Sequence, residues 1–323
     1  MTQDFWGQAT AFLYAAVLAC VPLLYGTLGE ILTQKAGNIN LGVEGMMYLG
    51  AIAGFLAGYR TDSAMLTVLA GFLAGAGGAL IYAFLTVSLK ANQNVSGLTL
   101  TVFGMGVANF LGEKAKLNAP VGTAFMSERL KALLSPVGIG GLDGLPVIGP
   151  LLFRHSVLTY LAVLASVAMA LYLRRSRLGL NLRAVGENPA AADAMGVPVS
   201  KYKYAHILVG GGLCGLGGVY ISMVTCLGNW QPNIVAGQGW IAMALVIFAA
   251  WKPLRAAAGS LVFGALSVLR LYVPKDVVDI PAALFSMLPF IVTCLVLVVS
   301  SVRLRRENQQ PAGCGVNYFR EER

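Results

Sequence analysis

Long apolar runs separated by short polar stretches dominate this chain. They cover about 9–32, 40–59, 64–88, 94–112, 152–173, 204–227, 237–251, 256–273 and 282–302. An apolar helix of about 20 residues is long enough to cross the hydrocarbon core of a bilayer. The pattern predicts an all-α, polytopic transmembrane helix bundle with about nine or ten spans. Residues 1–302 form the membrane domain, and 303–323, opening "RLRRENQQ", read as an exposed cytoplasmic tail. Between 113 and 151 the pattern lapses into a polar loop containing Gly and Pro.

Two of the runs look broken. In "KAGNINLGVEGMMYLGAIAGFLAGY" (35–59) the start is rich in Gly and Asn, and Glu44 stands where a span should begin. In "CLGNWQPNIVAGQGWIAMALVIF" (226–248), Pro232, Gly237 and Gly239 precede a short apolar stretch. Broken or re-entrant segments free backbone groups that need protein or water around them, so such segments often mark a transport path. Ordinary helix ends and tight turns are the plainer alternative. Elsewhere glycines recur four apart, as in Gly54 and Gly58, Gly71 and Gly75, and Gly211 and Gly215. That spacing puts them on one helix face, suited to close helix packing.

Composition agrees with the runs: 57% of residues are hydrophobic and 11% charged, against about a quarter charged in soluble domains. The net charge of +9 could suggest nucleic acid. The basic residues sit at the ends of apolar runs, which is the positive-inside pattern, and nucleic acid is excluded. The segment 174–203, with Arg174, Arg175, Arg177, Arg183, Lys201 and Lys203, is placed in the cytoplasm, as is the tail. Counting back gives nine spans, an external 113–151 loop and an external N-terminus; one re-entrant segment would flip that last assignment. "MTQDFWGQAT" has no basic n-region, so the first run is expected to stay as a span. The five cysteines form no CxxC and read as small buried hydrophobes. With two histidines, His155 and His206, a His-based metal or catalytic site is not expected.

The cytoplasmic stretch "LRAVGENPAAADAMGV" (182–197) predicts a short capped helix. Asn188 is an N-cap, Pro189 suits the first helical position, and Gly196 can close the helix in the left-handed conformation. Its exposed side is mostly alanine, whereas solvated surface helices show Lys and Glu. A small, smooth knob carrying Asp193 and Met195 suits insertion into a groove on another protein. "GGGLCGLGG" (210–218) lacks the Lys-Ser/Thr ending of a phosphate loop, so the chain carries no ATPase of its own.

Polar residues in the runs are the remaining candidates. Glu30 and Glu44 are costly in lipid; pairing with Lys35 is the structural reading and proton relay the functional one. Gln93, Asn94 and Ser96 open an apolar run and could bond neighbouring helices or line a polar path. Trp230 and Trp240 flank the second broken segment, as interfacial anchors or as a stacking surface for a substrate ring. With Asn38, Asn40, Glu44 and Gln238 they make up the candidate path.

Together, "NLGVEGMM", "NQNVSGLTLTVFGMG", "PVIGPLLF", "GLNLRAVGENPAAADAMGVPVSKYKYAHILVGGGLCGLGG" and "GQGWIAMALVIFAAWKP" resemble the permease subunits of bacterial ABC importers. The group is that of branched-chain amino acids, ribose-type sugars and nucleosides, and the nucleoside branch is the nearest. The resemblance runs from about 26 to 300. It implies that Glu187, Asn188, Pro189, Ala190, Ala191, Asp193, Ala194, Met195 and Gly196 form a coupling helix that docks on an ABC ATPase. It also implies a second homologous permease, as hetero- or homodimer, and an extracellular substrate-binding lipoprotein. ATP and Mg would bind the ATPase, with no cofactor on this chain. The location implied is the bacterial inner membrane. Gln238 stands where many relatives have Arg. Nucleosides are the expected cargo; simple sugars, branched-chain amino acids, or an ion-gradient-driven carrier are the alternatives.

Overall fold

The computed structural model describes residues 2–118, 126–138, 148–272, 282–302 and 309–320. The described residues form helices joined by short turns, plus a two-stranded antiparallel ribbon pairing Val137 with His155. In chain order the helices are α1 (Thr2–Lys35), α2 (Val43–Thr61), α3 (Ala64–Ala83), α4 (Gln93–Leu117), α5 (Glu128–Leu134), α6 (Ile148–Phe153) and α7 (Val157–Arg175). Then follow α8 (Arg177–Glu187), α9 (Pro189–Ala194), α10 (Val199–Tyr220), α11 (Gln238–Phe248), α12 (Pro253–Tyr272) and α13 (Ala282–Val302). Single π turns, Phe84–Ser88 and Ile221–Thr225, end α3 and α10.

Among the described residues, six helices are long and apolar enough to cross a membrane, namely those built on α1, α3, α4, α7, α10 and α12. Helix α2 lies at the centre of the bundle, with Glu44 in its first turn and Arg60 in its last. Outward-facing Leu73, Val102, Phe103, Phe110, Leu164 and Leu171 are exposed. In water such an apolar surface would drive association; around a transmembrane bundle it meets lipid.

The core forms where α1, α2, α3 and α10 meet. Glycine makes it possible. A Cβ on Gly215 of α10 would strike the carbonyl oxygen of Gly71 on α3, and one on Gly75 would strike that of Gly211. A Cβ on Gly50 of α2 would strike Gly215 itself. The backbones therefore touch along one seam, the close approach that small residues four apart allow.

The run expected at 237–251 is only half a helix. Helix α11 has 11 residues, about 16 Å at 1.5 Å per residue. The other half of the crossing is irregular backbone. It starts where Gly228 O accepts from Met126 N (3.2 Å) and Trp230 packs on Gly112 and Phe55. It passes α4, where Asn233 N donates to Asn109 Oδ1 (3.1 Å). It reaches α2 at Glu44, and α11 then continues beside α1 to Trp251, whose Nε1 donates to Gln34 Oε1 (2.6 Å). The segment thus leaves one end of the bundle and arrives at the other, where Lys35 meets Gly186 of α8. It crosses and does not turn back, so the seventh run, 237–251, counts as a crossing, shared between loop and helix.

One expectation fails. The sequence predicts an exposed tail, yet Pro311 and Cys314 are buried. Residues 311–318 lie across the end of the bundle that carries α8 and α9, because "PAGCGVNYF" has apolar and aromatic content that a solvated tail lacks.

Candidate functional site

Two regions carry candidate chemistry. The first is the meeting point of the two broken segments. Lys35 ends α1, and residues 36–42 turn back beside it before α2 begins. Asn40 shapes this turn: its Oδ1 accepts from Gly42 N (2.9 Å) and its own N donates to Glu30 Oε1 (3.1 Å). Glu30 Oε1 also accepts from Gln34 Nε2 (2.8 Å). Gln93 Oε1 holds Ile39 N (2.8 Å), and Asn38 Nδ2 reaches Thr86 Oγ1 (3.4 Å).

Glu44 then points across to α11. Its two carboxylate oxygens accept from Gly237 N (2.8 Å) and Gly239 N (2.6 Å). Gly237, at φ 84°, has no side chain to cap the helix that follows. Glu44, almost two hundred positions earlier in the chain, supplies the cap. The physical reason is strong: orphan N–H groups at a helix start carry a partial positive charge, and in a water-poor interior they need an acceptor. A carboxylate satisfies two of them with charge-assisted bonds. The positive φ of Leu227, Asn233 and Ala236 shows how far the preceding backbone departs from regular geometry, as irregular backbone lining a cavity can.

The expected pairing of Glu30 or Glu44 with Lys35 is therefore not what forms; both carboxylates take amide donors. Trp230 is not an interfacial anchor either. It is buried against Gly112 and Phe55. Trp240 is exposed, Gln238 half-buried with its Oε1 unpartnered, and Asn94 exposed on α4. Of the candidate path residues, Glu44, Gln238 and Trp240 come together at the start of α11. Asn38, Asn40 and Gln93 cluster one level nearer the α9 end, and Trp230 stands apart at the opposite end. Half-buried Asn109 and exposed Asn233, joined by bonds of 3.0 and 3.1 Å, are not among the residues expected from sequence. Asn109 was hidden in a Gly- and Phe-rich apolar run.

The second region is α8 and α9. Ser176 caps α8, its Oγ accepting from Gly179 N (2.8 Å). Asn188, extended at φ −149°, breaks the chain and caps α9, accepting from Ala191 N (3.0 Å). Pro189 opens α9 and Gly196, at φ 81°, closes it. Ala192 packs into a small core with Val185 and Val199, which fixes the helix by one face. Ala191, Ala194 and Met195 face outward, Met195 84% exposed. Asp193 is held by Tyr318 Oη (2.9 Å) and Arg320 Nε (3.3 Å).

Outside the spans, burial dominates the titrating groups. It pushes the Cys314 thiol up to about 12 and holds the His155 imidazole below its usual value. His155 is thus neutral, with Nε2 against Leu151 O (2.8 Å). Both are structural. Among the described residues, no cluster of His, Cys, Asp and Glu could hold a metal.

The family model for the branched-chain amino acid transport system / permease component matches residues 12–297. TsgC13 of Haloferax volcanii, an ABC transporter permease whose name carries a provisional assignment to glucose, is 40% identical over 81% of this chain and 78% of its own. The nucleoside ABC transporter permease NupC of Lactococcus lactis is 31% identical, covering 93% of this chain and 94% of its own. The guanosine ABC transporter permease NupQ of Bacillus subtilis is 31% identical, covering 96% of each.

Proposed function

Because the chain belongs to the branched-chain amino acid transport system / permease component family, and is an ABC permease subunit whose ATPase is a separate chain, we propose that it carries nucleosides inward across a bacterial inner membrane. A partner ATPase and another permease subunit are expected of such a chain. A lipoprotein delivers the substrate to the end of the bundle that carries 126–138. ATP and Mg act on the ATPase, and α9 docks there through Ala191, Ala194 and Met195 as the coupling helix.

The observation that carries the substrate reading is the capped start of α11. A half-helix with a free N-terminus would attract an anionic substrate group. Here Glu44 already occupies that terminus. The nearby polar groups are the neutral amides Asn109, Asn233 and Gln238, with Trp240 beside Gln238. A neutral solute with a flat ring and hydrogen-bonding edges suits them, and among the described residues at the start of α11 an amino-acid carboxylate finds no free counter-charge. The two nucleoside permeases that cover almost the whole chain support the same class.

The 40% identity to TsgC13 favours a second reading, a simple sugar. Uptake of labelled guanosine, glucose and leucine, with and without this gene, separates them. Nucleoside uptake should depend on the gene. Gene-dependent uptake of glucose alone moves the assignment to sugars, and gene-dependent leucine uptake defeats the argument from Glu44.

A further inference from the structure

The segment 311–320 is bound at both ends of its path. Gly313 N donates to Gly186 O (2.9 Å), and Ala312 N to Glu187 Oε2 (3.2 Å), which ties it to α8. Gly315 N donates to Gly37 O (3.3 Å), which ties it to the first broken segment. Asn317 Nδ2 donates to Lys90 O (2.6 Å) and its Oδ1 accepts from Gln93 Nε2 (3.1 Å), which ties it to the start of α4. Tyr318 and Arg320 then reach Asp193 on α9. The bonds of residues 312–317 satisfy backbone or amide groups that would otherwise seek water, and those of Tyr318 and Arg320 hold the Asp193 carboxylate.

Beside the charged Arg320, two large apolar side chains are left outward. Val316 is 62% exposed and Phe319 44%. Both stand beyond the ends of the spans, where lipid tails do not cover them. Between the segment and α9 lies an open cavity of about 290 Å³, walled by Asn188, Pro189 and Ala190 on one side and Val316 and Phe319 on the other. Asn188 and Pro189 are also the cap and first residue of α9. An ATPase seated on α9 therefore meets the segment as well.

We propose that residues 311–320 and α9 form one composite docking surface for the ATPase subunit. In it, Val316 and Phe319 contact the ATPase, and Tyr318 sets the orientation of α9 through Asp193. The inference rests on the reading of α9 as the coupling helix. It adds a second contact and a direct tie from α9 to the broken segment at Gly37.

The test uses the assembled transporter in proteoliposomes, comparing four variants: a chain ending at Gln310, Val316→Glu with Phe319→Glu, Tyr318→Phe, and Ala191→Arg. The truncated chain and the double variant should hold the ATPase at least ten-fold more weakly, the loss of about one interface anchor. Tyr318→Phe should keep the ATPase but move about two-fold less substrate per ATP hydrolysed, a ratio that a loss of fold would not alter selectively. If Ala191→Arg releases the ATPase while the double variant binds and couples as the parent does, the segment has no docking role and α9 keeps its own. If Ala191→Arg itself leaves binding and coupling intact, the reading of α9 fails first.

Discussion

The glycine seam and the divided crossing are two ways to place backbone inside a membrane, and they are stabilised by different forces. Along the seam, α2, α3 and α10 touch through Gly50, Gly71, Gly75, Gly211 and Gly215, with no side chain between them. The stabilisation there is dispersion over many atoms, and every backbone group is satisfied inside its own helix. In the crossing 226–248, half the backbone has no helix to satisfy it. One carboxylate, Glu44, and one amide pair, Asn109 with Asn233, fix it at named points. A packed seam is lost as a whole. A crossing held by a few polar bonds can exchange them, and that is the property a moving part requires.

The largest effect is expected from filling the seam. In Gly215→Leu, the new Cβ meets the carbonyl of Gly71, and backbone cannot yield as a side-chain tip can. Overpacking ordinarily costs about 1–3 kcal/mol and more where nothing can move. We expect little intact protein in the membrane fraction, and loss of the thermal transition of what remains in detergent. Gly77→Leu is the control, since a Cβ there meets nothing within 4 Å; it should insert and melt like the parent. A Gly215→Leu protein as stable as Gly77→Leu would show that the seam is not the structural centre.

How much of this was legible follows from the same contrast. The seam could be read from sequence because helix periodicity places residues four apart on one face, and glycine there has one main use. Helix α9 was equally legible: Asn188, Pro189 and Gly196 act through bonds to residues at most a few positions away. Glu44 was legible as unusual but not as a cap. Its partners, Gly237 and Gly239, lie almost two hundred residues on, and pairing with nearby Lys35 was the local guess. Trp230 went the same way, since a tryptophan beside a polar break reads as an anchor until the space opened by Gly112 is seen. The packing of 311–320 is hard to read from sequence because Arg303, Arg305 and Arg306 just before it suggest a solvated stretch. "GCGVNYF" was the signal that could have corrected it.

The second effect comes from the divided crossing itself. Glu44→Ala leaves the N–H groups of Gly237 and Gly239 without their acceptor. Hydrogen bonds to a charged group are worth about 1.5–3 kcal/mol, and buried donors left unpaired cost more than the bond's net value. Glu44→Gln keeps one acceptor oxygen and should lie between. We expect the melting temperature to order as parent, Gln, Ala, with transport falling in the same order. The opposite outcome is informative: a Glu44→Ala chain that gains uptake of an anionic solute would mean that the freed N-terminus of α11 faces the path and that Glu44 had been excluding it.

The smallest expected change in stability, and the sharpest for function, belongs to Asn109→Ala. It removes both bonds to Asn233. Polar pairs within membrane bundles average about 0.6 kcal/mol, so the melting temperature should barely move. Asn233 is exposed and Asn109 half-buried in the single chain, within a span where amides facing lipid would be costly, so we expect the pair on a side covered by a second permease or by the path. If the path runs there, the concentration of nucleoside giving half-maximal uptake should rise several-fold, with the amount of assembled transporter unchanged. A loss of assembly at unchanged apparent affinity would assign the pair to the contact with the second permease and leave the path to Gln238 and Trp240.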